Sequence, residues 1–90
     1  MLKTDIFPKA KKFISKIPTK HAKQILAKIQ LLEIDPKPQD SKLLRGYNGI
    51  YLRVDSGEYR IIYRFTEEDL FIALIGKRND DEIYKLLKRQ

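Results

Sequence analysis

Apolar residues recur at helical spacing through the first third of the chain and at alternate positions through the middle, so helices precede strands. Leu2 to Phe7 reads as a short opening strand. Pro8 suits the first position of a helix, where its missing N–H would have no partner anyway, and Ala10, Phe13, Ile14 and Ile17 follow at helical intervals until Pro18 stops the run. Thr19 is placed to cap a second, longer helix. Ala22, Ile25, Leu26, Ile29 and Leu32 form its apolar stripe, Lys20, Lys23 and Lys28 lie away from it, and Asp35-Pro36-Lys37-Pro38 ends it. A tight Pro-Thr corner makes the two helices an antiparallel hairpin whose stripes need a sheet to cover.

The strands come next. Leu43 and Leu44 open an apolar patch, and Gly46-Tyr47-Asn48-Gly49 is turn chemistry. Ile50, Leu52 and Val54 then alternate with Tyr51, Arg53 and Asp55. After Asp55-Ser56-Gly57-Glu58 turns the chain, the period of two puts Arg60, Ile62 and Arg64 on one face and Tyr59, Ile61, Tyr63 and Phe65 on the other. Thr66 to Asp69 is a polar loop. The run Leu70 to Ile75 is apolar on both faces, which predicts a central strand covered by the helices on one side and by something else on the other. Beyond Gly76, Asn79 would cap a last helix whose first turn, Asp80-Asp81-Glu82, suits the positive end of its dipole. The expectation is one α+β domain over 1–90: a short N-terminal strand, a helical hairpin, an antiparallel three- to four-stranded sheet and a short C-terminal helix.

Composition narrows the function. Ninety residues suffice to bury roughly 60–65% of the extended chain's surface in one core. A net charge of +7 calls for an acidic partner, whether nucleic acid, an anionic membrane surface or an acidic protein segment. No apolar run approaches the ~20 residues of a membrane span, and the N-terminus carries no secretory apolar stretch, so the chain is expected in the cytoplasm without a membrane partner. Absence of cysteine excludes thiol nucleophiles and thiolate metal sites. One histidine, His21, cannot make a ligand set and reads as an ordinary surface residue; Asp80, Asp81 and Glu82 read as helix-start acids rather than a magnesium site. No dinucleotide fingerprint, phosphate-cradling glycine loop or Ser-His-Asp set is present, so no metal and no small-molecule cofactor is expected.

The arginines carry the remaining signal. Arg45, Arg53, Arg60, Arg64, Arg78 and Arg89 all lie from position 45 onward, interleaved with five tyrosines, while the first 41 residues use lysine alone. A guanidinium grips phosphate in a fixed geometry, whereas lysine supplies a point charge. Such side chains also serve as amphipathic cover for a sheet. Taken together, however, Arg53 and Arg60 on neighbouring strands, Lys77 and Arg78 at the end of the next, and Tyr84 on the closing helix describe a polyanion site with a stacking ring.

At these residues the sequence resembles a known family. Lys42-Leu43-Leu44-Arg45-Gly46, Tyr59-Arg60-Ile61-Ile62-Tyr63, Gly76-Lys77-Arg78 and Glu82-Ile83-Tyr84 are similar, in order and spacing, to the RelE/ParE superfamily of bacterial toxins, and most to its RelE branch. The resemblance covers essentially the whole chain. It implies a RelE-like fold and a toxin of a type II toxin–antitoxin system that enters the ribosomal A site and cuts messenger RNA there. Its partners would be a cognate antitoxin, the ribosome and the message. The chemistry implied is metal-independent attack by the RNA's own 2′-hydroxyl. Arg60 would stabilise the transition-state phosphate, Arg78 would act at the leaving 5′-oxygen, and Tyr84 would stack on or orient the nucleotide. Lys42, Arg45, Lys77 and Lys85 would contact RNA or ribosome. Arg53 stands where RelE-type toxins often carry a lysine proposed as base, and the alternate basic position before it is either replaced by Tyr51 or lost through a one-residue shortening of the turn. An arginine makes a poor general base, so this departure implies slower cutting. The other outcomes left open are a gyrase-directed toxin of the ParE type and a catalytically weak homologue that still binds its antitoxin.

Overall fold

A computed structural model describes residues 1–47, 49–79 and 82–88. The elements follow the expected order: β1 (Lys3–Ile6), α1 (Pro8–Lys16), α2 (Thr19–Ile34), β2 (Lys42–Tyr47), β3 (Gly49–Ser56), β4 (Tyr59–Phe65), β5 (Asp69–Lys77) and α3 (Glu82–Lys88). Pro8 does open α1. At α2, by contrast, Pro18 rather than Thr19 occupies the cap position and no side chain caps the helix, so Thr19 is already helical. The proposed cap Asn79 leads into Asp80 and Asp81, which lie outside the described residues, as does Asn48 of the turn expected from sequence.

The sheet has five strands in the order β1-β5-β4-β3-β2, one more than the antiparallel meander expected from sequence. The extra member is β1, which pairs with β5 in parallel from Lys3 opposite Asp69 to Ile6 opposite Ile72 and makes the sheet mixed. Its seat is fixed from both sides: Phe7 N–H donates to the Ile72 carbonyl at 2.9 Å, Leu2 N–H to the Glu33 carbonyl of α2 at 2.9 Å, and the Thr4 hydroxyl to the Glu33 carboxylate. Buried between β1 and β4, β5 can therefore be apolar on both faces.

Two cores result, one on each face. Ala10, Ile25, Ile29 and Leu32 of the two long helices meet Leu52, Val54, Ile61, Tyr63, Leu70 and Ile72. On the opposite face Ile83 and Leu87 of α3 cover Tyr51, Ile62, Ala73 and Leu74. The close approach of α3 depends on Gly76, because a Cβ there would stand 3.2 Å from both Cβ and Cδ1 of Ile83. The β3–β4 connection is a two-residue loop, Gly57-Glu58, closed by the Ser56 and Tyr59 pair; Gly57 has φ +59, a conformation that a side chain disfavours. This loop fixes the register of everything around the arginines.

Candidate nucleic-acid interface

Alternation along β2, β3 and β4 delivers polar side chains to the face that α3 covers only in part. Register places Lys42 opposite Arg53, Arg53 opposite Ile62, and Asp55 opposite Arg60. Since Ile62 belongs to the α3 core, Lys42, Arg53 and Arg60 share its face. Arg53 and Arg60 are thus diagonal neighbours on adjoining strands, about 7–8 Å apart, while the direct partner of Arg60 is a carboxylate.

Arg60 is the most constrained of them. Its Nε donates to Asp55 Oδ1 at 2.9 Å, and its Nη1 donates to the Tyr84 hydroxyl at 2.6 Å. The Asp55 carboxylate raises the arginine's pKa further above its already high value; partial burial opposes the rise and the Tyr84 hydroxyl adds to it. Arg60 is therefore a permanent cation with its plane fixed between strand and helix. With a side chain only 15% exposed it keeps a small free edge for an incoming anion.

Among the described residues Arg53, Arg64, Lys42, Lys77, Arg78 and Lys85 form no ion pair. Arg78 is exposed in the turn after β5, with its backbone N–H donating to the Glu58 carbonyl at 3.0 Å, which ties it to the Gly57-Glu58 loop that leads into the strand of Arg60. Lys85 is exposed on α3. Lys77 pairs with Tyr59, whose ring belongs to the other core, so the register separates Lys77 from Arg60 and turns it toward the α1 and α2 side. Arg45 lies on β2, but its side chain is outside the described residues.

Three further contacts were not foreseen. Asp55 as counter-charge to Arg60 was legible in principle, because a two-residue Gly57-Glu58 loop puts residues 55 and 60 directly opposite. Arg64 holds its guanidinium 5.8 Å from the Tyr51 ring centre and 5.4 Å from that of Phe71. His21 is half-buried rather than a plain surface residue. Its Nδ1 lies 2.7 Å from the Tyr59 hydroxyl and 3.6 Å from Glu58 Oε1, joining α2 to the loop between Asp55 and Arg60. Nothing in the sequence spacing signals a contact between residues 38 apart.

This combination of a mixed five-stranded sheet, two helices on one face and a short helix bearing Tyr84 on the other is the fold of the RelE toxins. Three solved structures share it at a TM-score of 0.74. One is the archaeal RelE–RelB complex from Pyrococcus horikoshii OT3, 24% identical over 86% of this chain and 94% of that one. The second is the toxin–antitoxin complex RelBE2 from Mycobacterium tuberculosis, 19% identical over 86% of this chain and 98% of its counterpart. The third is a mutant of the Escherichia coli toxin RelE in the free state, 22% identical over 96% and 93%. No protein-family model and no curated protein matches the sequence. Among the described residues no helix is long and apolar enough to cross a membrane.

Proposed function

We propose that this chain is the toxin of a toxin–antitoxin pair and that it cleaves messenger RNA in the ribosomal A site. The observation that carries the reading is Arg60, a cation locked by Asp55 and Tyr84 on a face that also presents Arg53 and Lys42, which form no ion pair among the described residues. The RelE fold supports it.

The reaction asks little of the protein. The 2′-oxygen of the RNA attacks the adjacent phosphorus, the bond from phosphorus to the 5′-oxygen breaks, and the products end in a 2′,3′-cyclic phosphate and a 5′-hydroxyl. Arg60 meets the charge that grows on the phosphate, and preorganised cations are most effective when they need not reorganise during the step. Arg78 stabilises the departing oxygen, which takes its proton from solvent or a neighbouring donor. Arg53 cannot take the proton of the nucleophile; it lowers the cost of the 2′-alkoxide as a fixed charge, and water accepts the proton. Tyr84 orients Arg60 through its hydroxyl and offers the ring to the base. The antitoxin, an acidic and partly disordered partner, neutralises the protein by covering this face or displacing α3.

A second reading has one observation behind it: Asp55 already meets the charge of Arg60, which favours a slow or inactive toxin that still binds its antitoxin. Tight induction followed by mapping of messenger RNA ends separates the outcomes. In-frame breaks within codons are expected. Trapped gyrase–DNA complexes without RNA breaks would move the protein to the gyrase-directed class, and growth arrest with neither would discard both.

A further inference from the structure

Arg64 stands apart from the residues to which the proposed reaction gives a role. It lies on the same strand and face as Arg60, four residues on, and its side chain is exposed. Register pairs it directly with Phe71 of β5, while Tyr51 of β3 flanks it on the other side. The guanidinium therefore rests over two rings, one from each neighbouring strand, at 5.4 and 5.8 Å. Both rings are anchored, Tyr51 being 5% exposed and Phe71 packed against Phe7 at 6.1 Å between centres.

Ring contacts hold an arginine without consuming its donors, since the attraction acts through the flat face and leaves the N–H groups at the edge. Arg64 differs in this from Arg60, whose donors are engaged by Asp55 and Tyr84. Among the described residues no carboxylate lies within ion-pair distance of Arg64. Two anchored rings restrict where this exposed side chain can go before any ligand arrives, which lowers the ordering cost of meeting an anion in a set place.

The distance fits a second phosphate on the same strand of RNA. Four residues of β-strand separate Arg60 and Arg64 by about 13 Å, more than one nucleotide can span when stacked. We propose that Arg64, clamped between Tyr51 and Phe71, is a phosphate-binding subsite for the single-stranded RNA flanking the scissile bond. This rests on the reading of the protein as an RNA-cutting toxin and extends its substrate beyond the cleaved dinucleotide. Arg64 binds; it takes no part in the bond changes.

The test compares the parent with Arg64→Ala and Arg64→Lys. One assay follows cleavage of programmed message on ribosomes; the other follows fluorescence anisotropy of a labelled 12-nucleotide oligouridylate against the isolated protein. Arg64→Ala is expected to raise KM about five- to tenfold with kcat within twofold, and to weaken oligouridylate binding similarly. The log–log salt slope of that binding should shrink by about 0.7, the value of one lost phosphate contact on a single strand. Arg64→Lys should recover the slope, since the charge remains, but only part of the affinity. Melting temperatures of both variants exclude unfolding as the cause. A parent that cuts while Arg64→Ala keeps its KM and its oligouridylate affinity overturns the subsite and leaves the nuclease standing. A parent that does not cut but loses RNA affinity on Arg64→Ala overturns the nuclease and keeps the subsite. A parent that neither cuts nor binds RNA overturns both, and a variant impaired only in antitoxin binding assigns Arg64 to the protein partner instead.

Discussion

Arg60 has two partners, and replacing each in turn separates orientation from charge balance. Tyr84→Phe removes the acceptor 2.6 Å from Nη1 and keeps the ring. A hydrogen bond to a charged, partly exposed group is worth about 1 kcal/mol, so single-turnover cleavage should fall about fivefold. Tyr84→Ala also removes the ring and should fall considerably further. Equal rates in parent and Phe variant would deny the hydroxyl any orienting role. Sequence alone led to an emphasis on stacking, because the contact between strand and closing helix is set by tertiary packing. Asp55→Asn addresses the other partner. It removes a negative charge from the face, so RNA affinity is expected to rise severalfold while kcat falls, the amide holding the guanidinium less firmly. If both parameters improve, Asp55 is a brake rather than a positioner. Arg78 is exposed in the turn after β5 and fills no core, so Arg78→Ala should change stability by less than ~1 kcal/mol and cut the rate by about 10² to 10³. A calorimetric scan beside the cleavage assay reads both.

The elements themselves were mostly written in the period of the sequence, and where they were not the cause is long-range. Pro8 and the Ala10, Phe13, Ile14 spacing declare α1; the Arg60, Ile62, Arg64 alternation declares β4 and its two faces. The parallel seat of β1 was hidden, because pairing Thr4 with Leu70 is decided by what the completed sheet and Glu33 offer, not by four residues of local pattern. The same holds for the register shift after Ile62, which leaves Ala73 as an extra residue on β5. Gly76 reads locally as a helix-approach point and can be tested as one. In Gly76→Ala the new methyl meets Ile83 at 3.2 Å, so α3 must yield. We expect a loss of about 1–2 kcal/mol in urea unfolding and a drop in cleavage, since α3 carries Tyr84. Unchanged stability would mean that α3 accommodates the methyl freely. Tyr63 anchors the opposite core, its hydroxyl donating to the Pro36 carbonyl at 2.7 Å. Burial pushes its pKa from 10.0 up to about 12. Between those values the folded protein keeps a proton that the unfolded chain has lost, so this contribution is complete below pH 10.0 and drains away as pH rises toward about 12. Tyr63→Phe should flatten that alkaline decline while costing about 1 kcal/mol at neutral pH through the unsatisfied Pro36 carbonyl. Unfolding curves at a series of pH values between neutrality and the alkaline limit decide it.

For the molecule as a whole, the net charge of +7 is divided between two surfaces with different chemistry. Lysines of α1 and α2 lie over one core, and among the described residues only Lys28 of these is paired, with Asp40 at 2.9 Å. Arg53, Arg60 and Arg64 lie over the other, where Asp55 is the sole carboxylate in an ion pair with them among the described residues. Mobile ammonium groups attract a polyanion from a distance, whereas fixed guanidinium groups take hold of individual phosphates at contact. The two roles predict different responses to salt. If three to five contacts from the arginine face hold the RNA, the log–log slope of single-strand binding should be about −2 to −3.5, a roughly 15- to 130-fold loss of affinity between 50 and 200 mM salt. Replacing Lys9 and Lys12 of α1 by glutamine should leave that slope within about 0.5 while slowing association at low salt, because those side chains steer without touching the strand. Stopped-flow association and equilibrium anisotropy on the same oligouridylate measure the two quantities separately. A slope that falls with the lysine changes would place phosphate contacts on the helical side, and the arginine face would lose its claim to be the RNA surface.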